Sequence, residues 1–172
     1  QLGFFLEEFP EAHWHQFEPA NRDNVRIGAA LAFGESVNTY FDIAKADVIL
    51  SLDADFLNSG PGHERYARDF ASRRRLRDGQ QELNRLYAVE TSPSPTGSMA
   101  DHRVALDSGR IEALALALAG HLGVKYRAEG EIPPFDDPNG WLAALARDLR
   151  NSGSSALVIV GDYQSPALHA LA

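Results

Sequence analysis

Val48-Ile49-Leu50-Ser51-Leu52-Asp53-Ala54-Asp55-Phe56-Leu57, then Gly60-Pro61-Gly62 and a charged stretch, decides how this chain is read. Five almost wholly apolar residues match a strand buried on both faces, the pattern of a parallel sheet. Two carboxylates follow at the strand's carboxyl end. After the glycine turn, residues 63–77 read as an amphipathic helix with Tyr66, Phe70 and Leu76 inward. Open α/β sheets bind ligands at the carboxyl ends of their strands, so chemistry is sought here first.

The same order of strand, polar turn and helix recurs outward from this unit. Leu86-Tyr87-Ala88-Val89 reads as the next strand, ending in Glu90. Residues 91–97 then hold two prolines, two serines and a glycine, a candidate binding loop. Asp107-Ser108 caps a helix to about Leu122, with Ile111, Leu114 and Leu118 inward and Gly123 just past its end. Residues 126–138 form a polar connection with Pro133, Pro134 and Pro138, the last in the first turn of a helix over residues 139–150. Ala156-Leu157-Val158-Ile159-Val160 is the last strand, followed by a helix start at Ser165-Pro166.

On the amino-terminal side, His13-Trp14-His15-Gln16-Phe17 reads as a first strand. Residues 21–24 cap a helix with Val25, Ala29, Ala30 and Phe33 on one face, which Gly34 ends; Thr39-Tyr40-Phe41 is a short extended piece. The expectation is one α/β domain over residues 1–172. It has three layers: a mainly parallel sheet of about four to six strands with helices on both faces.

Composition narrows the function. A chain of 172 residues fits one domain. Its 44% hydrophobic and 23% charged content is ordinary for a globular protein. A net charge of −8 disfavours nucleic acid, whose phosphates need a basic face. With no cysteine, these residues supply no thiolate to an iron–sulfur cluster and no Cys nucleophile. No apolar run reaches the roughly 18 residues that read as a membrane span, so direct membrane insertion is not expected. The start on Gln1 and the apolar stop at Ala167–Ala172 lead us to expect a fragment of a longer polypeptide.

Each candidate motif has two readings. Asp53 and Asp55, two apart on an extended chain, point to one side and could hold Mg²⁺. The pattern resembles the nucleophile loop of haloacid-dehalogenase-like phosphatases, so a Mg²⁺-dependent phosphohydrolase is one alternative; Leu57 stands where that family has Thr. The other reading is that both acids bond backbone N–H groups of their loops. Gly60 and Gly62 either cradle a phosphate at a helix start or make a tight turn, with no dinucleotide or P-loop fingerprint around them. Asp101 beside His102 could orient an imidazole or form a structural hydrogen bond. His13 and His15 lack a third ligand nearby, so no metal is assigned. Arg73, Arg74, Arg75 and Arg77 are either a phosphate or partner contact or a solvated helix end. No Gly-x-Ser-x-Gly elbow occurs and no residue is assigned a catalytic role.

Several stretches resemble the molybdopterin oxidoreductase family of the dimethyl-sulfoxide-reductase type. They are residues 18–34, Ala46-Asp47-Val48-Ile49 through Asp55, Thr96-Gly97-Ser98-Met99-Ala100-Asp101-His102, and residues 104–119. Residues 50–57, Asp101-His102-Arg103, Val158-Ile159-Val160-Gly161-Asp162 and residues 166–171 are similar to the variant in the large iron–sulfur subunit of alternative complex III, a quinol-oxidising respiratory complex. The resemblance implies a Rossmann-like domain of an electron-transfer subunit, acting as a scaffold without molybdenum cofactor. Iron–sulfur clusters would sit elsewhere in the parent chain. Its partners would be other domains of the same polypeptide and subunits of a membrane-associated complex on the periplasmic side. The alternative is a competent domain binding the nucleotide arm of a molybdopterin guanine dinucleotide. The loops holding it would carry Asp53, Asp55, Gly60, Gly62, Glu90, Thr91, Ser92, Thr96, Asp101 and His102. The sequence departs from cofactor-binding members by having Glu90-Thr91-Ser92 where they place an Asp-Pro-Arg-like turn, and Asp53-Ala54-Asp55 where they often place an Asn-Pro-like one.

Overall fold

The computed structural model describes residues 2–15, 18–76, 82–126, 135–137 and 139–172. Four strands, β1 (Val48–Leu52), β2 (Arg85–Glu90), β3 (His102–Ala105) and β4 (Ala156–Val160), form one all-parallel sheet in the order β3-β2-β1-β4. Leu50 sits in register with Tyr87 on one side and Val158 on the other. Every residue of β1 is buried, as its apolar run requires for the inner strand of a parallel sheet.

Alternation along the strands divides the core in two. Val48, Leu50, Leu52, Tyr87 and Val89 face α5 (Ser108–Leu122) and α6 (Trp141–Ser152), meeting Ile111, Leu114, Leu118, Leu142, Leu145 and Leu149. Ile49, Leu86 and Ile159 face the other way, onto α3 (His63–Arg73) and the 3₁₀ turn Ile43–Lys45, meeting Tyr66, Phe70 and Ile43. The three-layer α/β fold follows from this: one side chain in two must be buried on each face. The remaining helices are α1 (Leu2–Glu8), α2 (Asp23–Phe33), the single turn α4 (Pro95–Ser98) and α7 (Pro166–Leu171). α2 packs on α7 so closely that a Cβ on Gly28 would lie 2.3 Å from that of His169.

Several expectations are corrected. Residues 13–15 are not a strand, and residues 16 and 17 lie outside the described residues; the apolar residues before them form the exposed helix α1 instead. Residues 39–41 pair with no strand; Phe41 leans on the Tyr66 ring at 5.7 Å. α2 ends at Gly34 as expected, in the left-handed region at φ 79°, yet Phe33 is exposed and the buried positions are Gly28 and Ala29. α3 stops at Arg73, leaving Leu76 72% exposed. Arg74 is drawn away to Asn84 Oδ1 at 3.0 Å and to the Asp101 carboxylate. With Arg73 paired to Asp47, half of the expected basic cluster is internal structure; Arg77 lies outside the described residues.

Residues 91–97 are not wholly loop. Ser94 caps the turn α4, its Oγ accepting from the Gly97 N–H at 3.0 Å, with Pro95 in the first turn. α6 starts at Trp141, two residues later than expected, and runs on to Ser152. Its cap is Asp137, whose carboxylate accepts from the N–H groups of Trp141 and Leu142 at 2.9 and 2.8 Å. Pro133, Pro134 and Pro138 lie outside the described residues. Asp107 occupies the cap position of α5 without a capping hydrogen bond from its side chain.

Candidate functional site

The strand order locates the site. From β1 the chain moves outward to β2 and β3, then returns to lay β4 on the opposite side of β1. The carboxyl ends of β1 and β4 therefore flank the topological switch point, where such sheets open a binding crevice.

The loops around that crevice are bonded to one another. Gly161 follows β4 and donates its N–H to the Leu52 carbonyl at 2.9 Å. A Cβ on Gly161 would lie 2.0 Å from the Asp53 carbonyl oxygen, so only glycine allows this approach. Asp53 holds a left-handed φ of 55°, which Asp tolerates better than most residues. The turn swings its carboxylate onto two other loops. Oδ1 accepts from the Thr91 N–H at 3.1 Å, and Oδ2 accepts from Gln164 Nε2 at 3.1 Å. Thr91 Oγ1 lies 3.4 Å from the same oxygen. Gln164, buried to 6% exposure, also donates to Ser108 Oγ at 2.9 Å. One carboxylate thus ties the ends of β1, β2 and β4 to the start of α5.

Asp55 has different partners. Its Oδ1 accepts from the N–H and Oγ1 of Thr96 at 3.0 and 2.8 Å, and its Oδ2 accepts from Asn58 Nδ2 at 3.0 Å. Thr96 Oγ1 in turn accepts from the Leu57 N–H at 3.1 Å. Glu90, 5% exposed, accepts from Ser94 Oγ and Arg103 Nε, both at 2.5 Å. Gly97 lies so close over it that a Cβ there would be 1.9 Å from Oε1. All three acids serve as staples between loops. The loop-bonding reading of Asp53 and Asp55 is the one the geometry carries.

Gly60 and Gly62 have φ of 81° and 86° and make the tight turn before α3. The Gly60 carbonyl faces the His63 imidazole, 2.9 Å from Nδ1. Ser92 is exposed on the loop. Asp101 and His102 do not join these residues. Asp101 precedes β3 and His102 opens it, in register with Tyr87, so both stand nearer the amino-terminal end of the sheet. Asp101 accepts from the Leu86 N–H at 2.8 Å and pairs with Arg74. Burial pushes its carboxyl up, but the Arg74 guanidinium and the Leu86 N–H outweigh that and hold it below the usual carboxylate range. His102 stacks on the Tyr87 ring at 4.5 Å. Tyr87 Oη donates to Asp148 Oδ2 at 2.6 Å, and Arg85 also pairs with Asp148. Burial first, and then the Asp148 carboxylate, push the Tyr87 hydroxyl up to about 12.

Among the described residues no group of three or more His, Cys, Asp or Glu is placed to hold a metal ion, and the rings of His13 and His15 stand 6.4 Å apart. No helix among them is long and apolar enough to cross a membrane. A groove of about 780 Å³ runs along the outer side of β4, with Asp53, Ala54 and Asp55 at one end and Leu149 and Arg150 at the other.

Gln164 was not singled out by the sequence, Ser108 was read only as part of a helix cap, and Arg103 only within the family resemblance. The available signal is the polar turn 161–165 directly after the last strand. The sequence matches no protein-family model, and no characterised protein is significantly similar to it.

Proposed function

We propose that this chain is a molybdopterin-oxidoreductase-like α/β domain of a larger respiratory electron-transfer polypeptide, serving as a scaffold rather than holding the molybdenum cofactor. The observation that carries the reading is the acidic, cross-linked switch point. Asp53, Gly161 and Gln164 are tied to one another at the strand ends where a nucleotide arm would lie. The donor set also fits such an arm badly. A diphosphate needs N–H groups and cations, whereas the strand ends offer the carboxylates of Asp53, Asp55, Glu90 and Asp162. The nearby cations are already engaged, Arg22 with Asp162 at 3.1 Å and Arg103 with Glu90 at 2.5 Å.

The residues therefore do not fit a guanosine diphosphate arm, and no chemistry is routed through it. The same hydrogen bonds speak against a Mg²⁺-dependent phosphohydrolase, because Asp53 and Asp55 are both engaged by N–H groups of the connection after β2. Membership of a membrane-associated complex rests on the sequence resemblance alone.

The test is a calorimetric and thermal-shift titration with guanosine diphosphate, with and without Mg²⁺, against adenosine diphosphate as control. The expected result is no shift at millimolar ligand. A guanine-selective gain sinks the scaffold reading; ligand at roughly 100 times its dissociation constant adds about 2.7 kcal/mol.

A further inference from the structure

β4 is paired on one side only, with β1. Among the described residues no strand satisfies the backbone groups of its outer edge. The sheet's two edges differ sharply. β3, the other edge, is four residues long, mostly exposed, and carries His102 and Arg103, the charged guard expected of an edge that meets water. β4 has five residues, Ala156-Leu157-Val158-Ile159-Val160, with no charge, proline or bulge. Apart from Ile159 they are only half-buried, whereas every residue of β1 is buried. The β4 edge is built as an interior strand and left open.

The groove along it describes what belongs there. Leu122 and Leu149, from the α5/α6 side of the sheet, and Phe41, from the α3 side, line it, so alternate side chains of an incoming segment meet apolar surface on both faces. That is the environment of an interior strand, continuously apolar. Charge sets the direction. Arg150 lies at the amino end of β4, and Asp53, Asp55 and Asp162 lie at its carboxyl end with Arg22 beside them. A parallel strand that begins with an acid and ends with a base is complementary; an antiparallel one is mismatched at both ends.

We infer that the β4 edge is a strand-acceptor site, which takes an apolar, β-branched segment parallel to β4 from a neighbouring domain of the larger polypeptide. The identity of that donor rests on the function proposed above; the edge and its groove do not.

The experiment is residue-resolved amide hydrogen exchange of the 172-residue chain, with the synthetic peptide Glu-Thr-Val-Ile-Val-Thr-Lys in excess. Controls are the charge-reversed peptide, with Lys first and Glu last, and a peptide N-methylated at its central residues. The expected result is roughly tenfold slower exchange at the outward amides of residues 156–160 at peptide about ten times its dissociation constant. The charge-reversed and N-methylated peptides are expected to have no such effect. Unchanged exchange at millimolar peptide overturns the proposal. So does equal protection by the charge-reversed peptide, which removes the parallel assignment. Protection without peptide that grows with protein concentration, alongside a dimer in sedimentation, also overturns it by making a second copy the occupant. Guanosine diphosphate binding is read separately, so a failed scaffold reading and a failed edge remain distinguishable.

Discussion

Asp53 concentrates the argument at the scale of single residues. Its left-handed backbone costs energy for any side chain with a Cβ, and its carboxylate returns hydrogen bonds to Thr91 and to buried Gln164. Asp53→Ala keeps the strained φ and leaves the Thr91 N–H and the Gln164 amide without their acceptor. We expect a loss of about 2 kcal/mol in urea unfolding. Asp53→Asn retains an acceptor and a tolerance for this φ, and is expected to cost less than half as much. If Ala and Asn cost the same, the carboxylate is not the staple described here. The same comparison separates structure from chemistry, since an acid serving only a ligand leaves stability unchanged on replacement.

Between elements, the most informative contact is that of β2 with α6. Tyr87 Oη donates to Asp148, and its hydroxyl is pushed up to about 12 by burial and by that carboxylate. An unfolded Tyr titrates near 10. The folded state therefore keeps a proton that the unfolded state releases. The stabilisation is complete below about pH 10 and is lost as the pH rises towards 12. Urea midpoints of the parent chain should fall across that window relative to those of Tyr87→Phe; a constant difference would show that the Tyr87 proton is not linked to folding. At this scale the sequence was legible wherever burial alone decided. β1, β2, β4 and α5 follow from apolar runs and 3.6-residue spacing. Elements set by distant polar partners were not legible. β3, whose His102-Arg103 start resembles a loop, exists because β2 offers it an edge. α3 stops at Arg73 because Asp101 and Asn84, far along the chain, take Arg74. The candidate site shows the same division. Asp53, Asp55 and Glu90 were found as carboxylates at strand ends. That they turn onto Thr91, Thr96 and Arg103 depended on the pairing of β1, β2 and β3, and that Asp53 meets Gln164 depended on the return of β4 beside β1, which no local pattern encodes.

For the whole molecule, the question is which parts belong to the domain's own core. Both apolar clusters, with the side chains packed against them, lie between Phe41 and Leu171, around the sheet. The first helix contributes no buried residue. Phe4, Phe5, Phe9 and Trp14 are 76, 52, 55 and 62% exposed, an apolar concentration that water alone does not favour. Under the function proposed above, such a segment covers a neighbour rather than its own core. Deleting residues 1–15 should then leave the unfolding free energy within about 0.5 kcal/mol of the parent chain's, because it uncovers no core surface. It should also lower the binding of a hydrophobic dye to the folded chain, because the exposed rings are gone. A loss beyond about 1 kcal/mol would mean that the amino-terminal segment packs on its own sheet in solution. The surface available to a neighbouring domain would then shrink to the β4 edge and the outer face of α2.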